Sequence, residues 1–164
     1  MSATVGIRAA SPADIPTIGR LGALLVQVHH EFDAERFIAA TPQTEQGYGA
    51  YLGTQFNKAN VIVLVAELHG EVIGYTWAGL EGYDYMSLRG PAGVVYDIVV
   101  ATAYRGHGVG HLLLDAALTA LSARGAPRVV LSTAAKNVAA QRLFERAGFR
   151  QTMIEMTRES DAPS

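Results

Sequence analysis

The chain has 164 residues, 49% hydrophobic and 17% charged, a balance that suits a globular protein burying roughly two thirds of its unfolded surface. It has no cysteine, which excludes disulfide frameworks, thiolate metal sites and cysteine nucleophiles, and no metal is expected. A net charge of -2 argues against a broad nucleic-acid face, and no apolar run approaches the ~20 residues that span a bilayer, so neither nucleic acid nor membrane is an expected partner.

Residues 1–5 carry neither a basic start nor a long apolar run, and a cytoplasmic protein is expected. Thr4 to Arg8 alternates and predicts a first strand. Ser11-Pro12-Ala13-Asp14 then has the form of a capping box with proline at the first helical position. A helix to about Val28 follows, with Ile15, Ile18, Leu21, Leu25 and Val28 on one face. A second helix is predicted over Thr44 to Asn57, weakened by Gly47, Gly49 and Gly53. Val61 to Ala66 and Val72 to Leu80 are β-rich runs joined by Leu68-His69-Gly70-Glu71, a hairpin signature. Glu81 to Gly93 reads as a loop dense in tyrosine and acid, and Val94 to Val100 as a strand buried on both faces.

From Gly108 a helix is predicted to about Arg124, stopped by Gly125. Arg128 to Thr133 is a further strand. Asn137 caps a helix with Ala140, Leu143, Phe144 and Ala147 on its inner face, stopped by Gly148, and Phe149 to Arg158 is expected as a last strand. The order β-α-α-β-β-β-α-β-α-β has no repeat, giving one mixed α/β domain over 1–158 with a tail at 159–164.

A strand feeding into Arg105-Gly106-His107-Gly108-Val109-Gly110 and then a helix is an anion site in waiting: the first helical amides lack partners, and glycine admits close approach. The Gly-Lys-Ser/Thr ending of a Walker loop is absent, and the motif comes too late, after antiparallel hairpins, for a dinucleotide fingerprint. Taken alone the glycines also fit an ordinary strand-to-helix turn, Asn137 an ordinary cap, and Phe144 an ordinary core residue. Together, Arg-x-x-Gly-x-Gly at Arg105, Gly108 and Gly110, with Tyr104 before it and Ile98-Val99-Val100 leading in, resembles the pyrophosphate loop of the GCN5-related N-acetyltransferase (GNAT) superfamily. Asn137 to Phe149, NVAAQRLFERAGF, is similar to that family's second signature.

The resemblance implies a mixed, mostly antiparallel central sheet of six to seven strands with helices on both faces. It implies acetyl-CoA held by Ile98, Val99, Val100, Arg105, Gly106, His107, Gly108, Val109, Gly110, Asn137 and Phe144. It also implies direct attack of a primary amine of a small molecule or peptide on the acetyl thioester, with the Val100 backbone amide on the oxyanion. The aromatic of the second signature is often a tyrosine acting as acid; Phe144 has no proton to give, which leaves Tyr85, Tyr83 or Tyr104 as substitutes, or a thiolate that leaves unassisted because of its low basicity. Asp97, a carboxylate in an apolar strand, is a candidate base, since burial would raise its pKa, though in that strand it equally fits a residue pointing outwards or bonding a neighbouring loop; Glu31, beside His29 and His30, is the alternative. Glu31, Asp33, Glu35, Glu81 and Asp84 among Tyr48, Tyr51, Tyr83 and Tyr85 suit a cationic acceptor. A cofactor-binding module without turnover and a transferase of longer acyl groups are the rival readings. The last strand, with Met153, Ile154 and Met156, is expected to pair with a second copy in a homodimer.

Overall fold

In the computed structural model, residues 3–161 and residue 163 are described, so the tail expected at 159–164 lies partly outside the described residues. Five strands form one sheet in the order β1 (Gly6–Ala9), β2 (Val61–Leu68), β3 (Glu71–Glu81), β4 (Ala92–Val100) and β5 (Val129–Leu131). The first three junctions are antiparallel and the last is parallel. The β2–β3 turn is the two-residue loop His69-Gly70, both at positive φ (52° and 76°), which matches the twist of the flanking strands.

The sheet is mixed and mostly antiparallel as expected, but it has five strands, not six to seven. Phe149 to Arg158 adopts no regular structure. Met153, Ile154 and Met156 are 66%, 79% and 90% exposed, and Glu155 is held by Arg36, whose Nη2 donates to Oε2 at 2.9 Å. An ion pair to the loop after the first helix, not a ladder, anchors this segment; apolar alternation makes a strand only where an edge receives it. The strand expected to carry dimer pairing is therefore not formed.

Asp14 ties β1 to the start of the first helix. Its carboxylate accepts from the Ser11 amide at 2.8 Å and from Arg8 Nη1 and Nη2 at 2.8 and 3.0 Å, and Arg8 holds it below the ordinary carboxylate range. A short 3-10 turn at Pro12–Asp14 leads into α1 (Ile15–Phe32), which continues past Val28. α2 (Thr44–Gly53) stops short of Asn57. Its glycines serve packing: a Cβ on Gly49 would stand 2.9 Å from the Ile15 carbonyl oxygen, and one on Gly19 only 2.4 Å from that of Glu45. The two helices thus meet backbone to backbone. Gly22 likewise admits the Tyr48 ring, which a Cβ would meet at 2.1 Å.

α1 and α2 cover one face of the sheet through Ile18, Leu21, Leu52, Val63, Val65, Tyr75 and Val99. α3 (Val109–Ala123) covers the other, where Leu113 and Leu121 meet Ile62, Ala66, Ile73, Ala78 and Val95. Between them β4 changes phase. Trp77 pairs with Asp97 but Ala78 with Val95, leaving Tyr96 as an extra residue. This bulge lets Val95 serve the α3 face while Asp97, two residues on, points to the α1–α2 face. No helix among the described residues is long and apolar enough to cross a membrane.

Candidate active site

β4 and β5 pair over only three residues, ending at Val95 opposite Leu131, after which β4 runs on to Val100 paired with β3 but without β5. The strands part there, and a cleft of about 260 Å³ opens between them. Val95 to Ile98 form one wall; Leu131 to Thr133 and the Asn137, Ala140 and Phe144 side of α4 (Val138–Arg146) form the other. Leu25, His29 and Phe37 close one end. The Ala101 amide donates to the Ile73 carbonyl at 2.8 Å, so strand alternation turns the amides of Ile98 and Val100 toward the edge that β5 has left. The Val100 carbonyl on that edge accepts from Arg105 Nε at 3.2 Å.

At the end of this edge the chain makes a short turn, Thr102–Tyr104, and enters Arg105 to Gly110. Gly106 and Gly108 hold φ of 78° and 82°, a conformation that side chains disfavour, and a Cβ at either would meet only open space. The demand at these positions is conformational, not steric. Gly108 is the N-cap of α3 and offers no capping side chain, and the first helical bond runs from the Leu112 amide to the Gly108 carbonyl. The amides of Val109, Gly110 and His111 therefore precede the helical ladder, at the positive end of its dipole, an arrangement that fits a phosphate group.

Asp97 lies on the cleft wall, 9% exposed. Its Oδ2 accepts from Tyr75 Oη at 2.9 Å and from Tyr48 Oη. Burial raises its pKa above the ordinary value, while the two phenol donors and the neighbouring His29 work the other way. Burial and the Asp97 charge push both tyrosines up, Tyr48 the less. At the C-terminal side Asn137 caps α4 by accepting from the Ala140 amide at 3.2 Å, and Phe144 meets Phe149 edge to face at 6.0 Å.

The Acetyltransferase (GNAT) family model matches residues 25–149, a span that takes in the cleft, the glycine loop and α4. The chain belongs to the GNAT family. Members of this family use acetyl-CoA. Mycothiol acetyltransferase of Thermobispora bispora is 36% identical over 96 residues, covering 56% of this chain and 31% of that protein. The mycothiol acetyltransferase of Corynebacterium aurimucosum is 36% identical over 95 residues, 57% and 31% of the two chains. The chain thus spans about a third of the length of the curated relatives it matches. Among solved structures, an aminoglycoside N-acetyltransferase in complex with CoA superposes with a TM-score of 0.72 at 16% identity, covering 99% of this chain and 98% of that one. An acetyltransferase described as putative from Pyrococcus furiosus gives 0.72 at 22% identity, covering 95% and 99%. At such identities these structures show the GNAT fold.

Within that fold, Asp97, Ile98, Asn137 and Phe144 share the cleft. Val99 turns its side chain into the α1–α2 core, so only its backbone is available to the site. Val109 is buried beside Leu113 and contributes its amide. Tyr85 does not border the cleft: it is 82% exposed and stacks on Tyr83 at 6.2 Å. Glu31 also lies off the cleft lining, accepting from Gln27 Nε2 at 3.2 Å. The loop carboxylates have local partners: Arg89 meets Glu81 at 2.6 Å, and Ser87 donates to Asp84 at 2.7 Å. His29 and Tyr75 were not foreseen as site residues, and Tyr48 was expected only among the aromatics facing an acceptor, not as a donor to Asp97. Tyr75 pairs with Val99 and so lies diagonal to Asp97, which a register would reveal; no signal in the sequence puts the Tyr48 hydroxyl on Asp97 or His29 in the cleft.

Proposed function

We propose that this GNAT protein transfers an acetyl group from acetyl-CoA to a primary amine of a small molecule or peptide, by direct attack in a ternary complex. The observation that carries this reading is the parting of β4 from β5 after Val95, which leaves a one-sided strand edge running straight into the glycine loop. In this reading the amides of Gly108 to His111 and the Arg105 side chain hold the pyrophosphate, with Asn137 and Phe144 along the facing wall. The Val100 amide, on the free edge, donates to the thioester oxygen as it takes on charge, a donor worth roughly 3 kcal/mol in other acyl transfers.

The amine must be neutral to attack, so its proton leaves at the Asp97 end of the cleft. Neither Tyr85 nor Glu31 lines the cleft, which counts against Tyr85 as the acid and Glu31 as the base. Asp97, rather than the internally paired loop acids, is the charge that would draw a cationic acceptor. Phe144 in place of a hydroxyl-bearing residue favours one rival, a module that binds acyl-CoA without turnover. Calorimetry with acetyl-CoA, followed by release of free CoA thiol against a panel of alkylamines, amino sugars and peptide amines, separates them. Binding with thiol release supports the transferase; binding alone supports the rival; absence of binding ends both.

A further inference from the structure

Three titratable side chains line the cleft among the described residues: Tyr96, Asp97 and His29. Tyr96 is engaged, donating its hydroxyl to Glu81. Asp97 already receives two phenol hydrogens on Oδ2. His29 differs. Its Nδ1 lies 2.8 Å from the Leu25 carbonyl oxygen, and a carbonyl only accepts, so Nδ1 carries the hydrogen and a neutral ring keeps its lone pair on Nε2. Edge contacts with Phe32 at 6.1 Å and Phe37 at 5.1 Å hold the ring in place. Nε2, which has no hydrogen-bond partner among the described residues, belongs to a residue that lines the same cleft as Asp97 and Phe144.

We propose that His29 Nε2 takes the proton from the attacking amine and that Asp97 is a positioning residue whose negative charge steadies the imidazolium; this rests on the transferase reading above. Nitrogen forms its bond to the acetyl carbon and gives its proton to Nε2. The C–S bond then breaks with its electron pair on sulfur, and the imidazolium returns the proton to the thiolate directly or through solvent water. One proton leaves nitrogen and one arrives on sulfur, so the cycle closes on neutral His29 and no separate acid is needed. Phe144 is then no obstacle to turnover.

The charges around His29 are few. β4 offers Asp97, with Tyr48 of α2 and Tyr75 of β3 on its carboxylate. α4 presents the uncharged Asn137 and Phe144. Beyond α1, Arg36 lies over the Phe37 ring at 4.8 Å and pairs with Glu155, while Asp33 accepts from the amides of Glu35 and Arg36. On α1 itself His30 Nδ1 contacts the Phe37 carbonyl and Glu31 faces Gln27.

The test is the pH profile of kcat/KM at saturating acetyl-CoA, measured with two acceptor amines of different basicity so that an enzyme group shows as a limb that does not move between them. The wild-type protein should show such an acidic limb, the form expected of a base that must be unprotonated to act. His29→Gln should abolish the limb and lower kcat/KM by about 10²- to 10⁴-fold while acetyl-CoA affinity holds. His29→Asn keeps an N–H near the Nδ1 position for the Leu25 carbonyl but has nothing at Nε2, and should behave alike. A limb that persists in either variant overturns the role of His29 and leaves the transferase standing. Acetyl-CoA binding with no acetyl transfer by the wild type overturns both. NMR titration of the wild-type imidazole gives an independent decision if neither variant folds: a His29 midpoint matching the limb supports the assignment, and a mismatch removes it.

Discussion

Gly22→Ala is a small change that tests how the cleft is braced. The new methyl would stand 2.1 Å from Tyr48 Cδ1 and 2.6 Å from Cε1 and Cγ, where ordinary contact begins at 3.4 Å. Three ring atoms must therefore retreat together, and the hydroxyl at the far end leaves Asp97. Overpacking costs about 1–3 kcal/mol, losing a hydrogen bond to a charged group about 1.5–3, and alanine returns about 1 as a better helix former than glycine; the net is a loss of roughly 3 kcal/mol. Urea denaturation followed by fluorescence of the single tryptophan suits the measurement, because Trp77 packs against Tyr51 and Tyr96 beside the site. In a Tyr48→Ala background the obstructing ring is gone, and Gly22→Ala should become stabilising by up to about 1 kcal/mol. The same penalty in both backgrounds would refute the claim that Gly22 exists to seat Tyr48.

Gly108→Ala meets no atom but forces φ near 82° on a side chain, so stability should fall by about 1–2 kcal/mol and acetyl-CoA affinity with it; unchanged affinity in calorimetry contradicts the anion loop. Asp97 has a raised pKa from burial, so the folded protein binds that proton more tightly than the unfolded chain; this contribution is full below about pH 4 and lost as pH rises through the folded value. Asp97→Asn removes that loss, so its stability relative to wild type should improve as pH rises above the ordinary carboxylate value, and a pH-independent difference in urea titrations goes against it. Asp14 works in the opposite sense: Arg8 lowers its pKa, the gain is present above the ordinary carboxylate value and is lost as pH falls, so Asp14→Asn should flatten the acid side of the stability curve. Phe144→Tyr should leave turnover unchanged if His29 returns the proton; a large increase shows that the thiolate had lacked an acid.

Much of this arrangement was legible from residue order. The glycine loop, the Asn137 cap and Asp97 inside an apolar strand each announce themselves by local chemistry: positive φ at Gly108, a side-chain acceptor at a helix start, a carboxylate where none is expected. The surroundings of Asp97 are set by contacts distant along the chain, and there local reading failed. Gly49 weakens a helix when judged by propensity alone, yet it is what lets α2 lie against α1 and bring Tyr48 over Gly22. His29 reads as a surface residue on the last turns of an amphipathic helix until the return of Phe37 and the facing α4 wall enclose it. The last strand failed for a related reason: its alternation is real, but β5 is three residues long, and Arg36 draws Glu155 elsewhere.

The bulge at Tyr96 bears on how this chain can be recombined with its relatives. A strand with an extra residue has two numbering phases, and the junction between them lies inside β4. A chimera joined before Val95 and aligned by counting from the β2–β3 hairpin inherits one phase; a chimera joined after Asp97 inherits the other. Joining across the two without carrying Tyr96 delivers the carboxylate to the α3 side, among Ala78 and Leu121, and leaves Tyr48 and Tyr75 facing a side chain meant for the opposite layer. Splice sites in this strand are therefore best placed by the position of the bulge, with residues 95–97 moved as one block.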